Sequence, residues 1–334
     1  MAANLDTLRH RARIVAAIRH FFASRDFLEV ETPYLVSSPG MEPHLNAFRT
    51  DFISENRQDR ILRYLPTSPE FHMKRLLCQG ADRIFQLARS FRNGEIGDLH
   101  QPEFCMLEWY RAHADYLAIM DDVEEVITAA AREVHGEPVL SYRGRIIDLA
   151  RPWHRITVAD VWRRFADIDL VKFSSAEALR CAGRAAAVPN LREDDSWDIL
   201  YFKIFLDRIE RNLGWDRPVI LYEYPAGMAA LARLKPGNPT VALRFELYIA
   251  GIELANAFDE LTDPEIQLER CMESRKIQIE SGAEPFPLDM EFIDALRQGM
   301  PPSAGIALGL DRLIMLLLGK NSIGDVIAFP FDRN

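Results

Sequence analysis

The chain is poor in cysteine, with four in 334 residues: Cys78, Cys105, Cys181 and Cys271, none in a CxxC pair. That usage excludes a disulfide framework and a thiolate zinc site, and it is the usage of a reduced compartment, so a cytoplasmic protein is expected. No stretch of about 18 apolar residues occurs, which excludes a membrane-spanning helix. The segment Met1–Arg13 mixes charges with short apolar runs and lacks the apolar core of a signal peptide. There is no GxGxxG and no GxxxxGK followed by Ser or Thr, so a nucleotide would have to be held without a Rossmann turn or a P-loop. Positive charge is in deficit: 40 Lys and Arg stand against 50 Asp and Glu, a net charge of −10. Short of a local basic patch, that speaks against a chain that grips nucleic acid through many phosphates. Repeats and low-complexity segments are absent as well.

With 48% hydrophobic and 27% charged residues, the chain has the composition of a soluble globular protein. Helical spacing of Ile14, Val15, Ile18, Phe21 and Phe22 predicts a helix over Leu8–Arg25, followed by a short strand over Leu28–Glu31. A strand is expected at Ile61–Leu65. Ser68, Pro69 and Glu70 then read as N-cap, first turn and dipole partner of a helix that runs to Leu77. Arg83–Phe91 and Phe104–Tyr110 read as a hairpin around a polar loop, and Asp115–His135 as an amphipathic helix. From Thr157 to Leu213 a weak helical pattern, broken near Pro189, reads as an insertion on the main sheet. Strands are expected at Pro218–Tyr224, Val241–Ile249, Ile252–Phe258 and Ala304–Leu308, with helices at Pro264–Ser281 and Asp311–Leu318. Hairpins outnumber βαβ units. The fold class expected is therefore α+β, an antiparallel sheet flanked by helices, in one catalytic domain over residues 1–334.

Three constellations carry chemistry. In the first, Phe91-Arg92-Asn93-Gly94-Glu95 and His100-Gln101-Pro102-Glu103-Phe104, an arginine at a strand end can present a bidentate cation to a phosphate, and Phe104 a flat face to a purine. Taken alone, that stretch reads better as a surface loop with an ordinary ion pair. The second is the hairpin around Ala250-Gly251, where Glu246 and Glu253 become diagonal neighbours on one face. Such a pair suits a hard divalent cation, or equally two solvated carboxylates. Asn256, Phe258 and Glu260 alternate onto a common face, but strict alternation sets them opposite Glu253, so lining one pocket requires the strand to bulge or twist between them. In the third, Gly305, Ala307 and Gly309 leave one strand face nearly bare, and Arg312 lies in the first turn of the next helix. This is either tight helix–strand packing or a surface that something flat approaches closely.

Together these residues resemble the class II aminoacyl-tRNA synthetases. Leu28–Pro33 is similar to motif 1, Phe91-Arg92-Asn93 through Phe104 to motif 2, and Gly305–Arg312 to motif 3. Ser68-Pro69-Glu70, Leu107-Glu108-Trp109-Tyr110 and Glu253-Leu254-Ala255-Asn256 resemble the lysyl-tRNA synthetase versions. Motif 1 begins too early for a preceding anticodon-binding domain, so none is expected. The best resemblance is to the stand-alone paralogue family, the elongation factor P–(R)-β-lysine ligases. It implies ATP-dependent activation of (R)-β-lysine, with α-lysine used less well, transfer to a lysine of elongation factor P, magnesium as cofactor, and a homodimer built through motif 1.

The resemblance also implies residue roles. Arg92 and Arg312 would be catalytic. Asn93, Gly94, Glu95, His100, Gln101, Phe104, Glu253, Leu254 and Gly309 would join them around ATP, with adenine between Phe104 and Arg312. Glu246 and Glu253 would hold magnesium. Glu70, Tyr110 and Glu260 would surround the distal ammonium, with Ser68, Pro69, Glu108, Asn256, Phe258 and Ala307 shaping that pocket. Three positions depart from the synthetase pattern: Gly94 replaces a motif 2 glutamate, Gln101 an asparagine, and Ala307 a glycine. The Ala307 methyl would crowd the α-ammonium of ordinary lysine, a selection of about 1–3 kcal/mol. Two other readings stay open: a synthetase-like ligase with another acceptor, and an inactive amino-acid sensor.

Overall fold

The computed structural model describes residues 4–55, 59–173 and 175–331. In chain order these form α1 (Leu5–Ala23), β1 (Leu28–Glu29), β2 (Arg49–Ile53), β3 (Arg60–Tyr64), α2 (Glu70–Cys78), β4 (Arg83–Phe91), β5 (Glu103–Ala112), α3 (Tyr116–His135), β6 (Val139–Tyr142) and β7 (Arg145–Asp148). There follow β8 (His154–Thr157), α4 (Val158–Ala166), α5 (Ala176–Ala185), α6 (Trp197–Arg208), β9 (Val219–Pro225), β10 (Leu234–Lys235), β11 (Asn238–Ile249), β12 (Ile252–Asp259), α7 (Pro264–Glu280), α8 (Met290–Gln298), β13 (Ser303–Gly309) and α9 (Leu310–Leu317). Local chemistry explains most ends. Asn4 accepts a bond from the Thr7 amide to start α1, Asp115 caps α3, and Gly136 closes α3 in the left-handed region.

The main sheet has nine strands, in the order β1-β4-β5-β13-β12-β11-β9-β8, with β10 beside β11. Its centre is antiparallel, as expected. Its two edges, β1 on β4 and β8 on β9, are parallel. The expected strand at Ile61–Leu65 is β3, but it pairs with β2 in a separate hairpin. The β6–β7 hairpin and α8 are additions to the elements expected from the sequence, although Phe292, Ile293 and Leu296 give α8 a helical apolar face.

Alternation gives the sheet two different faces. Cys105, Leu107 and Trp109 of β5, Phe245, Leu247 and Ile249 of β11, and Ala304, Ile306 and Leu308 of β13 share one core with α1, α3 and α9. The opposite face is covered at one end by the helical segment α4–α6, built around Trp162, Tyr201 and Phe205. At its other end α2 and α8 stack Phe71 on Phe292. Between those two covers lies the polar face of β5, β11, β12 and β13.

Of the two devices that would bring Glu253 and Asn256 to one face, a bulge or a twist, the strand has the bulge. Ile249 pairs with Ile252 and Tyr248 with Glu253, but Leu247 pairs with Ala255, so Leu254 is the extra residue of β12. Ala250 and Gly251 both have positive φ, the geometry of a two-residue hairpin turn. Leu254 and Ala255 both enter the core, and Glu253 and Asn256 both stay half-buried on the polar face.

At the start of α9, the buried Asp311 carboxylate accepts a bond from the Cys105 amide at 2.7 Å and pairs with Arg11 of α1 at 2.6 Å. One side chain thus ties three elements together. Asp311→Ala should lower the unfolding free energy by about 3 kcal/mol. Urea titration showing a loss below about 1 kcal/mol would mean the tie contributes no more than a surface pair.

Candidate active site

The site is a row of side chains on that polar face, with an acidic end and a cationic end. At the acidic end, the Ser68 hydroxyl accepts from the Glu70 amide at 3.0 Å and donates to Glu108 at 2.6 Å. It therefore starts α2 and orients a carboxylate at once, although the capping position itself falls on Pro69. Tyr110 donates to the other Glu108 oxygen at 3.0 Å. The Tyr110 ring lies against Gly305, where a Cβ would sit 2.2 Å from the ring and 2.9 Å from Glu260. Gly305 is therefore bare because a protein side chain occupies the space. The flat group that approaches it is Tyr110.

The sequence reading placed a substrate ammonium among Glu70, Tyr110 and Glu260. The structure also sets a protein cation among them: the Lys74 ammonium lies between Glu70 and Glu260, 2.6 Å from each. It is also 5.9 Å from the Phe258 ring. Burial alone would lower the lysine pKa, but Glu260 and Glu70 outweigh it and hold the group above its ordinary value. Glu108, buried and close to the Glu70 charge, is pushed up to about 8. Burial likewise raises Glu260 to about 8, with the Lys74 charge opposing the rise.

At the cationic end, Arg92 follows β4 and is anchored by its amide on the Pro102 carbonyl at 2.9 Å. Its guanidinium lies 5.2 Å from the Phe104 ring centroid, and its buried Nε has no hydrogen-bond partner. Arg312 donates to the carbonyls of Glu253 at 2.9 Å and Leu99 at 3.1 Å, and its Nη2 lies 2.8 Å from His100 Nε2. Burial, followed by the Arg312 charge, keeps the His100 pKa below normal, so a neutral imidazole accepts from the guanidinium. Asn93 is held through its amide on the Asn46 carbonyl at 2.8 Å. Gly94 has φ +86°, a conformation that suits glycine, with nothing within 4 Å of where a Cβ would stand. Glu95 lies close enough to influence both His100 and Arg312.

Two expected nucleotide residues point elsewhere. Leu254 is the bulged residue, and its side chain is in the core. Gln101 is buried, and its side-chain Oε1 accepts from the Phe331 amide at 2.8 Å, fastening the chain's last described segment. Both had been placed by their position within a motif, which does not report which way a bulged or loop residue turns.

Midway along the row, Glu246 accepts from the Tyr224 and Tyr248 hydroxyls and from Arg244. Arg244 also binds Asn256 Oδ1 at 3.0 Å and the Met228 carbonyl at 2.8 Å. Glu253, facing the same space, is raised to about 7 by burial and by the Glu246 charge. Ala307, half-buried, stands between its register partners Asn256 and Glu108. The sequence reading missed Lys74, Arg244, Tyr224, Tyr248 and Gln86. Two of them had a signal. Lys74 is four residues after Glu70 on one helix, and Arg244 two residues before Glu246 on one strand. Gln86 lies opposite Glu108, fully buried with its amide unpaired, and nothing in the sequence marked it.

Among the described residues no group of three or more His, Cys, Asp or Glu could hold a metal, and no helix is long and apolar enough to cross a membrane. The four cysteines are free. A family model described as class II tRNA synthetases (D, K and N) matches residues 2–333. Among curated proteins, the elongation factor P–(R)-β-lysine ligase of Yersinia enterocolitica is 40% identical over 333 residues, covering 99% of this chain and 97% of its own. The ligases of that name from Erwinia tasmaniensis and Haemophilus ducreyi are each 39% identical, covering 99% of this chain and 97% and 95% of theirs.

Glu108 and Glu260 bind protons more tightly folded than unfolded, so stability should fall as pH rises from about 5 to about 8. Glu108→Gln removes one such group. The melting temperature of the ligand-free variant should decline less over that window than that of the parent. Parallel declines would show that Glu108 titrates as an ordinary carboxylate.

Proposed function

Because the chain belongs to the class II tRNA synthetases of the D, K and N type, we propose that it is a ligase that activates (R)-β-lysine with ATP and transfers it to a lysine side chain of elongation factor P. One observation carries the chemistry: a single sheet face holds a buried acidic pocket at one end and the guanidinium groups of Arg92 and Arg312 at the other. An amino acid with cationic groups fits the first, and its carboxylate and a phosphate chain fit the second. The names of the full-length relatives support the choice of β-lysine and of the protein acceptor.

In activation, a carboxylate oxygen of the substrate attacks the α-phosphorus. The new O–P bond forms as the bond to the β-phosphate oxygen breaks, and pyrophosphate leaves with the electron pair. The attacking oxygen is already anionic, so no protein nucleophile is needed. Arg92, just past the end of β4, would hold the substrate carboxylate and the α-phosphate together, and Arg312 would close the adenine against Phe104 and add positive charge near the phosphates. In transfer, the neutral amine of the acceptor lysine attacks the carbonyl carbon, loses its proton, and displaces AMP.

Magnesium suits the carboxylates between the two ends. A carboxylate has about four acceptor sites, and Glu246 has three bonds from Tyr224, Tyr248 and Arg244, leaving room for a cation. Glu253, with its proton affinity raised by burial and by Glu246, is the second oxygen donor. Bound there, the ion would neutralise phosphate charge. The Ala307 methyl, standing between Asn256 and Glu108, is positioned to favour a β-amino over an α-amino group by about 1–3 kcal/mol. The chain is read as one catalytic domain, with the α4–α6 segment as an insertion, working in the cytoplasm.

Phe52, Ile53, Ile61 and Leu62 are exposed on the β2–β3 hairpin, and Leu28, Tyr34 and Leu35 are exposed near motif 1. These apolar residues favour a homodimer through this region. Sedimentation should give a dimer at micromolar concentration, and a persistent monomer would refute the interface. The activity is tested by incubating the enzyme with elongation factor P, ATP and (R)-β-lysine. Intact-protein mass measurement should show elongation factor P gaining one β-lysyl residue. ATP–pyrophosphate exchange should run faster with (R)-β-lysine than with α-lysine. Equal exchange would sink the substrate assignment, and exchange without a mass gain the acceptor.

A further inference from the structure

The acidic pocket brings its own cation. Lys74 is a single buried ammonium shared by two carboxylates, Glu70 on its own helix and Glu260 beyond β12. A third carboxylate, Glu108, is fully buried beside them and is occupied instead by Ser68 and Tyr110. Other groups reach this cluster electrostatically: Glu42 from the loop before β2 acts on Glu70, and Asp259 on Glu260. The Cys271 thiol of α7 feels Lys74. In the free pocket Glu108 and Glu260, raised to about 8, hold protons at neutral pH. Once substrate ammonium groups displace those protons, Glu70, Glu108 and Glu260 carry three negative charges against the one positive charge of Lys74, a balance of two negative. A β-amino acid with a cationic side chain brings two ammonium groups to match, while its carboxylate is left for Arg92.

We infer that Lys74 is a specificity-determining positioning residue: by occupying Glu70 and Glu260 it sets the pocket to a charge that only a substrate with two ammonium groups completes. A buried ion pair with no such role could be exchanged for apolar groups at little cost to function. Here a change in the balance changes what the pocket binds. Without the Lys74 charge, Glu70 and Glu260 hold protons more tightly at neutral pH, and an ammonium must displace them to bind. With Glu70 also removed, its repulsion of Glu260 is gone, Glu260 yields its proton to an ammonium more readily, and the ammonium-bound balance of two returns.

This inference rests on the proposed lysine-type substrate, and the parent enzyme separates the two. If the parent shows no β-lysine-dependent ATP–pyrophosphate exchange, the functional reading fails. If it does, that reading stands whatever Lys74 does. In Lys74→Met, KM for (R)-β-lysine at neutral pH should rise by about tenfold or more, a tenfold change corresponding to one pKa unit. KM for ATP should hold, and the acidic limb of kcat/KM should move to higher pH. In Glu70→Gln/Lys74→Met, which has the original balance, KM for β-lysine should recover at least partly, even where the melting temperature does not. A limb that stays in place, equal rises in both KM values, or a double variant no better than the single one would each overturn the inference. Should the variants not fold, the parent still decides. 6-Aminohexanoate, which lacks one ammonium, should compete with (R)-β-lysine about tenfold or more weakly, and equal competition would overturn the inference.

Discussion

The site depends on one extra residue in one strand. Leu254 bulges out of the β11–β12 ladder, and that single insertion reverses the side-chain parity of β12. Before the bulge Glu253 faces the polar side. After it Asn256, Phe258 and Glu260 do. In a regular ladder the magnesium-type carboxylate and the amino-acid pocket would lie on opposite faces of the sheet, one of them buried against α1, α3 and α9. The bulge makes them neighbours and gives Leu254 and Ala255 to the core together. The bulge lies three residues from the tight turn at Ala250-Gly251, where the chain has little freedom to slip register.

Bringing so many carboxylates to one buried face is costly, and the surroundings offset the cost in distinct ways. Glu246 is surrounded by two phenols and a guanidinium, which solvate its charge without water. Tyr224 of β9 and Tyr248 of β11 also pack into the core under the α4–α6 segment, so that cover holds in place the phenols that meet Glu246. At the acidic end Lys74 bridges two carboxylates with one positive charge, from a helix turn that Ser68 both starts and connects to Glu108. The two ends use opposite devices: phenols and arginine where a metal and phosphates would add positive and negative charge, and an ammonium where the substrate would add more ammonium.

Much of this was legible in the sequence. Hairpin counting gave an α+β fold, the Ala250-Gly251 pair gave the turn, and the alternation conflict between Glu253 and Asn256 called for a bulge or a twist without deciding between them. Edge pairing was not legible, because whether β1 joins β4 in parallel depends on where a loop returns. Nor was the direction of Gln101 or Leu254, whose motif positions are shared by residues that point toward and away from a ligand. The largest gap was Lys74. A lysine at helical spacing from a glutamate is in most proteins a solvated surface pair. Only the third partner, Glu260, far along the chain and brought in by β12, turns it into part of a pocket.

Gly305 shows why a correct motif can carry a wrong reason. Its missing side chain suggests room for a ligand, yet the room is filled by Tyr110. Any larger residue there would push the phenol from Glu108, and with it the orientation of the carboxylate that Ser68 shares. The bare stripe on β13 therefore does two different things along its length. At Gly305 it lets protein groups pack close enough to fix one another. At Ala307, two residues on, the strand face is half-open between Asn256 and Glu108. Glu108 is held there by Ser68 and Tyr110, and Asn256 by Arg244. The proposed selection by one methyl depends on that fixing: in a looser pocket the neighbours would shift, and the same methyl would discriminate nothing.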